Sequence, residues 1–122
     1  MTKRKHNTRV RDVMEPAVAS VGLDDTLDLA VVRMRERNVD AVTVVEDEKL
    51  VGMLTARELT LRTEANALVR DVVSLAVNFC LEHHTIEQAA AIMAGGRVHR
   101  LAVVAPDHRV VGVVSLQAMA GR

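Results

Sequence analysis

Apolar residues along this chain form the same series of patterns twice. Over 27–34 they recur at three- and four-residue spacing, which is typical of an amphipathic helix. Valine-rich runs at 41–45 and 50–54, with the polar segment 46–49 between them, predict a hairpin. The series returns as a helical pattern at 86–93 and strand patterns at 101–104 and 110–114, and a further helix is expected after each hairpin, at 56–65 and 116–120. The near-continuous apolar strands indicate sheets covered by helices on one face.

The two series are copies of one another. The tetrapeptide Val-Arg-Asp-Val at 10–13 reappears at 69–72, a displacement of 59 residues, and the same displacement gives 12 identities over residues 10–45. After the hairpin turn the displacement becomes 60, and one residue gained in a surface loop is what a duplication tolerates. The sequence therefore predicts a basic N-terminal arm, 1–9, followed by two domains, 10–66 and 67–122.

The predicted helices have polar residues suited to their ends. Thr26 and Thr85 precede the two helical patterns as N-caps, and Gln88 completes a capping box with Thr85. We expect Asn38 to end the first helix and the glycine pair at 95–96 to end the second, because these residue types accept the left-handed backbone of a C-cap.

Composition narrows the class of protein. Apolar residues make up 49% of the 122, enough for a core, and 16 basic residues balance 16 acidic ones, so net charge gives no reason to expect general binding to nucleic acid. The single cysteine excludes an intrachain disulfide and suits a reducing compartment. No apolar run approaches the roughly 20 residues of a membrane span. We expect a cytoplasmic protein without membrane contact. The basic arm is expected to be a solvated tail, and binding of nucleic acid is the alternative for this segment.

Two segments carry a family resemblance. These are "DAVTVVEDEKLVGMLTAREL" in the first copy and "HRLAVVAPDHRVVGVVSLQAM" in the second, each a Val-Val-turn-Val-Gly hairpin followed by a Thr or Ser. Together they resemble a tandem pair of cystathionine-β-synthase (CBS) domains. The resemblance implies an α+β fold of two β-α-β-β-α repeats packed pseudo-symmetrically through their sheets. It also implies a homodimer formed through the helices and an adenine ligand, such as AMP, ADP or ATP, in a cleft between the repeats.

In the first copy the resemblance places a ribose-binding motif at Thr55 and Glu58. A hydroxyl at a helix start and a carboxylate three residues later can both bond vicinal hydroxyls, although the family usually has the shorter Asp. The same spacing is also a capping box, which needs no ligand. Because Asp40 is negative, this copy suits a ligand with little charge there. The resemblance extends the contacts to Ser20, Val21, Asp40 and Ala41.

The second copy has a different balance of groups. Ser115 keeps the hydroxyl, but Ala118 stands where the acid would be. Basic side chains compensate with phosphate-binding chemistry, because guanidinium and imidazole groups donate hydrogen bonds to phosphate oxygens. The resemblance therefore implies ligand contacts from Phe79, Cys80, Arg97, His99, Arg100 and Ser115. The alternatives are that the arginines are solvated charges and that Phe79 belongs to the core.

Catalytic and metal-binding patterns are weak. The run Cys-Leu-Glu-His-His at 80–84 contains metal-ligand types, but adjacent histidines on an extended segment point to opposite sides, so we interpret it as a surface loop. No nucleophile with a base, P-loop or dinucleotide motif is recognisable. We expect a sensor without enzymatic activity or obligatory cofactor that modulates an unknown partner. The alternative is a ligand-free dimeric scaffold with degenerate nucleotide sites.

Overall fold

The computed structural model describes residues 8–16, 19–60, 66–73 and 77–120, and shows the predicted α+β repeat twice. Its elements run in the order η1 Val10–Asp12, β1 Ser20–Val21, α1 Leu27–Arg37, β2 Ala41–Glu46, β3 Lys49–Thr55, α2 Ala56–Thr60, η2 Val69–Asp71, β4 Phe79–Leu81, α3 Ile86–Gly96, β5 Arg100–Val104, β6 Val110–Ser115 and α4 Leu116–Ala120, where η marks a 3-10 turn. Of the predicted helix 56–65, residues 61–65 lie outside the described part. No helix among the described residues is long and apolar enough to cross a membrane.

The chain forms two compact units, each built on one three-stranded sheet. The central unit lies within 18–77 and has the strand order β1-β2-β3; β1 is parallel to β2, and β2 is antiparallel to β3. The terminal unit combines the N-terminal segment with 78–120 and repeats the arrangement as β4-β5-β6. Within each unit the long helix packs on the sheet, and the core consists of aliphatic and methionine side chains. This explains how a chain with one aromatic residue can fill two cores.

Each unit is completed by a segment that belongs in sequence to the other copy. Val10 opens the first copy, yet it is fully buried in the core of the terminal unit; Val69 opens the second copy and is fully buried in the central unit. The backbone bonds match as well: the Val10 amide donates to the His84 carbonyl, and the Val69 amide donates to the Asp25 carbonyl, both at 2.8 Å. The boundary between 66 and 67 separates the two sequence copies and stays a prediction. The compact units are divided differently, because each includes the entry segment of the other copy.

The long helices begin and end where the sequence predicts, but the C-cap of the second is not a glycine. The Thr26 hydroxyl accepts from the Leu29 amide, and Asn38 ends α1 in the left-handed conformation, at φ 54°. The second helix ends at the glycine pair 95–96, but neither glycine takes the left-handed cap that was expected of them. Both glycines are helical, and Arg97 takes the left-handed cap at φ 56°. Gly96 is needed for another reason: a Cβ there would lie 2.5 Å from the Asn78 side chain.

Candidate functional site

In the central unit the predicted ligand residues lie at one end of the sheet. This end holds the starts of β1 and β2 and the end of β3, because Ser20 pairs with Thr43 and Ala41 pairs with Thr55. The Ala56 amide donates to the Asp40 carbonyl at 2.8 Å, which fixes the first residue of α2 beside the entrance to β2. Strand pairing therefore brings residues that are far apart in the sequence to one end of the sheet.

Thr55 and Glu58 form the capping box that the sequence offered as an alternative. The Thr55 amide donates to Glu58 Oε1 at 2.8 Å, and the Glu58 amide donates to Thr55 Oγ1 at 3.4 Å. The Thr55 hydroxyl also lies 3.4 Å from the same carboxylate oxygen. A ligand hydroxyl at this point would have to share the acid with the backbone, so the capping role and a binding role are compatible but not independent.

The start of β1 is held by polar contacts that sequence reasoning missed. Ser20 Oγ lies 2.8 Å from the Thr43 hydroxyl, and Thr43 is fully buried. A guanidinium nitrogen of Arg33 on α1 donates to the Ser20 carbonyl at 2.5 Å. A threonine inside the Val-rich run of β2 was the available signal, whereas nothing in the helical pattern marked Arg33. Next to Ser20, the Val21 side chain is 2% exposed and lies in the core.

In the terminal unit the equivalent end of the sheet carries basic groups. Arg100 pairs directly with Ser115 across β5 and β6, and the Leu116 amide donates to the His99 carbonyl at 2.8 Å. Ser115 Oγ accepts from the Ala118 amide at 3.1 Å, so the hydroxyl caps α4 as Thr55 caps α2. His99 and Arg97 are exposed, and Arg100 is half-buried. This edge therefore offers cationic donors where the central unit offers the Asp40 carboxylate.

Phe79 and Cys80, adjacent on β4, have opposite environments. The Phe79 ring is 36% exposed and meets the His108 ring edge-on, with centroids 5.4 Å apart. Cys80 is fully buried in the core, and burial raises the pKa of its thiol to about 11. The Cys80 side chain therefore packs as a small apolar group, and only its backbone is available for contacts at the sheet edge. Sequence reasoning missed His108, whose proximity depends on the hairpin geometry.

The histidine run belongs to the turn between β4 and α3. His84 Nδ1 accepts from the Leu81 amide at 3.0 Å, and the His83 carbonyl accepts from the Arg9 guanidinium at 3.0 Å. Across the described ranges, no group of three or more His, Cys, Asp or Glu side chains is arranged to hold a metal ion. The turn therefore serves to dock the N-terminal entry segment.

A duplicated β-α-β-β-α unit, with a hydroxyl-capped helix after each hairpin, defines a class of tandem α+β repeat protein. The family model described as "CBS domain" matches residues 10–62 and again 69–120, and the chain belongs to this family. It is 34% identical over 116 residues to the CBS domain-containing protein YhcV of Bacillus subtilis, covering 91% of this chain and 82% of that protein. It is 31% identical over 107 residues to an inosine-5'-monophosphate dehydrogenase of Methanocaldococcus jannaschii, covering 87% of this chain but 22% of the enzyme.

Solved structures share the fold over almost the whole chain. The crystal structure of Hypoxic Response Protein I with two coordinated zinc ions has a TM-score of 0.83 and 28% identity, covering 94% of this chain and 98% of that one. The cytosolic domain of the Mg²⁺ channel MgtE in complex with ATP has a TM-score of 0.85 at 21% identity, covering 94% and 48%. CBSX2 in complex with AMP has a TM-score of 0.78 at 21% identity, covering 93% and 94%.

Proposed function

We propose that this protein is a regulatory module that binds an adenine nucleotide or nucleoside at the hydroxyl-bearing ends of its sheets and modulates a partner protein. The observation that carries the proposal is the register that sets Arg100 opposite Ser115 and Ala41 opposite Thr55. Each hairpin thus ends in a hydroxyl at a helix start, and in the terminal unit a guanidinium lies across the strand pair from it. Structures of the same fold hold ATP and AMP, which supports an adenine ligand. The match to only 22% of the dehydrogenase supports a regulatory rather than catalytic role.

The terminal unit suits a ligand that carries phosphate. Arg97, His99 and Arg100 lie within four residues of one another at the edge that also carries Ser115. Guanidinium groups bind phosphate oxygens through two parallel hydrogen bonds, which gives both strength and orientation. The central unit suits an uncharged sugar, because Thr55 and Glu58 offer a hydroxyl and a carboxylate while Asp40 disfavours an anion.

Thermal unfolding of the full chain with millimolar adenosine, AMP, ADP and ATP tests the proposal. At 100 times Kd, a bound ligand stabilises the folded state by about 2.7 kcal/mol. Arg100→Ala should weaken AMP by about tenfold or more while leaving adenosine unchanged, because only the phosphate loses a charged partner. Lys49→Ala, on an exposed residue at the turn end of the other hairpin, is the matched control. If no ligand raises Tm in the wild-type protein, the binding proposal is wrong.

A ligand-free scaffold is the second candidate, because one specific observation favours it. Ala118 offers no acid to a ribose, and the Ser115 hydroxyl accepts from the backbone amide of Ala118, the helix start that it caps. Apolar surface is available for self-association: Val32 on α1 is 44% exposed, and Leu116 on α4 is 40% exposed. The central unit also has a groove of about 370 Å³ with the lining residues Val31, Met34, Arg35, Asn38, Val39, Asp40, Ala56 and Leu59.

The scaffold candidate predicts a homodimer through the helices whose mass does not depend on nucleotide. Light scattering of the wild-type protein and of Val32→Arg and Leu116→Arg measures this directly. Under the scaffold candidate the wild type is a dimer with or without AMP, and a charged residue in the contact returns it to a monomer. Saturable nucleotide binding that changes the mass or the partner affinity would instead favour the sensor.

A further inference from the structure

The N-terminal entry segment docks on the turn between β4 and α3. The Val10 amide donates to the His84 carbonyl at 2.8 Å, and the Arg11 amide donates to the Glu82 carbonyl at 3.1 Å. The Arg9 guanidinium adds a bond to the His83 carbonyl at 3.0 Å. These three acceptors lie on the turn 81–84, so the docking of residues 9–11 depends on the conformation of that turn.

His84 holds this turn in shape through a nitrogen that must stay unprotonated. Its Nδ1 accepts from the Leu81 amide at 3.0 Å, and an imidazolium, which is a donor at both nitrogens, cannot accept that bond. In the central unit the equivalent bond runs from the Gly22 amide to Asp25 Oδ2 at 2.7 Å. The two copies therefore share one turn, but a carboxylate closes it in one copy and an imidazole closes it in the other.

The difference extends to the neighbouring residue. Asp24 of the central unit pairs with the Arg70 guanidinium at 2.6 Å, whereas His83 holds the equivalent position in the terminal unit. The elements that adjoin His84 carry six other charged or titratable side chains: Arg9, Arg11, Asp12, Glu82, His83 and, from the first turn of α3, Glu87. Of these groups, the adjacent His83 opposes a charge on His84.

We propose that the turn 81–84 is a pH-sensitive latch: protonation of His84 releases the entry segment from the terminal unit, while the equivalent segment of the central unit stays docked. The effect reaches the candidate site, because Glu15 pairs with Val113 on β6, two residues before Ser115. When the latch opens, Glu15 loses its backbone hydrogen bonds to Val113 at the edge of β6. The protein thus has a proton-responsive element on one side of its duplicated fold.

The direction of the pH dependence follows from the protonation state of His84 that the docked turn favours. Burial lowers the pKa of the His84 imidazole below its ordinary value of 6.5, and the charge of His83 lowers it further. The undocked turn therefore binds the proton more tightly than the docked turn does. Docking is complete above pH 6.5 and weakens as the pH falls through the lowered pKa of His84, by at most tenfold per pH unit for one proton.

Amide hydrogen exchange measured by NMR on the full chain tests the latch with an internal reference. Between pH 7.5 and 5.5 the protection factors of Val10 and Arg11 should fall, by up to about tenfold, relative to those of Val69 and Arg70. The reference pair makes the equivalent bonds, to the carbonyls of Asp25 and Leu23, at 2.8 and 2.9 Å. A constant ratio over this pH range would overturn the proposal.

Two substitutions separate the latch from general acid sensitivity. His84→Asp installs the acceptor that the central unit already uses, so it should abolish the fall in the ratio; His83→Gln keeps the acceptor and should retain the fall. A ratio that falls in His84→Asp as in the wild type contradicts the latch. Titration of the His84 ring in the wild-type protein gives a second measurement: its midpoint must lie below 6.5, and the loss of protection at Val10 must begin above that midpoint and level off below it.

Discussion

At the scale of single residues, the clearest constraint is Gly112 on β6. A Cβ at this position would lie 2.7 Å from the Glu15 carbonyl and 2.7 Å from the sulfur of Met14. The entry segment crosses β6 here, and Glu15 exchanges two backbone bonds with Val113. The glycine of the Val-Gly hairpin motif is therefore explained by a close approach of backbone rather than by turn geometry.

Gly112→Ala should destabilise the protein by about 1–3 kcal/mol, because the new methyl group meets a backbone atom that cannot turn away. Gly95→Ala is the control: a Cβ there has nothing within 4 Å, and alanine in a helix is better than glycine by up to about 1 kcal/mol. Urea unfolding of both variants gives the comparison. If the two variants were equally stable, the segment that crosses β6 would move aside without a measurable loss of stability, and the steric explanation of Gly112 would be wrong.

At the scale of elements, local patterns were good guides wherever the deciding interactions are local. The caps Thr26 and Thr85 and the Asn38 helix end follow from side-chain and backbone preferences within one turn, and all three are confirmed. The alternation of helices and valine-rich strands likewise predicted both sheets. The C-cap of α3 was not predicted: Arg97 takes it, and Gly96 lies against Asn78, which precedes β4 and is distant in sequence.

The candidate site was less predictable for the same reason. The pairing of Arg100 with Ser115 follows from hairpin register and was within reach of the sequence. The contacts of Arg33 and His108 were not, because a helix-to-strand bond and a ring contact depend on tertiary packing. Nor does periodicity reveal that Cys80 faces the core while Phe79 is exposed, since β4 is only three residues long.

The first hairpin gives the prediction at this scale. Asp47 and Glu48 form its two-residue turn with φ of 53° and 69°, the positive values that a type I′ turn requires. Glu48→Gly should stabilise the protein by about 0.5–1 kcal/mol, because glycine adopts this backbone without a Cβ clash. Lys49→Gly, on the adjacent strand residue, should instead destabilise by a similar amount. Thermal unfolding that moves both variants in one direction would contradict the turn assignment.

At the scale of the whole molecule, the exchanged entry segments make each unit depend on residues from the other copy. Val10→Ala and Val69→Ala remove the same two methyl groups from fully buried positions, and each should cost about 2 kcal/mol. Hydrogen exchange should localise the damage: Val10→Ala lowers protection in β4–β6, and Val69→Ala lowers it in β1–β3. If Val10→Ala instead lowered protection in β1–β3, and Val69→Ala in β4–β6, the exchange of entry segments would be contradicted.

The exchange also sets an order of assembly during translation. The central unit is drawn from one continuous stretch, so it can close once residue 73 has left the ribosome. The terminal unit cannot, because Val10 and Glu15 must wait for the turn at 81–84 and for Val113. The entry segment 8–16 is therefore synthesised before the central unit but finds its place after it, and its apolar Val10 and Val13 stay uncovered in the meantime.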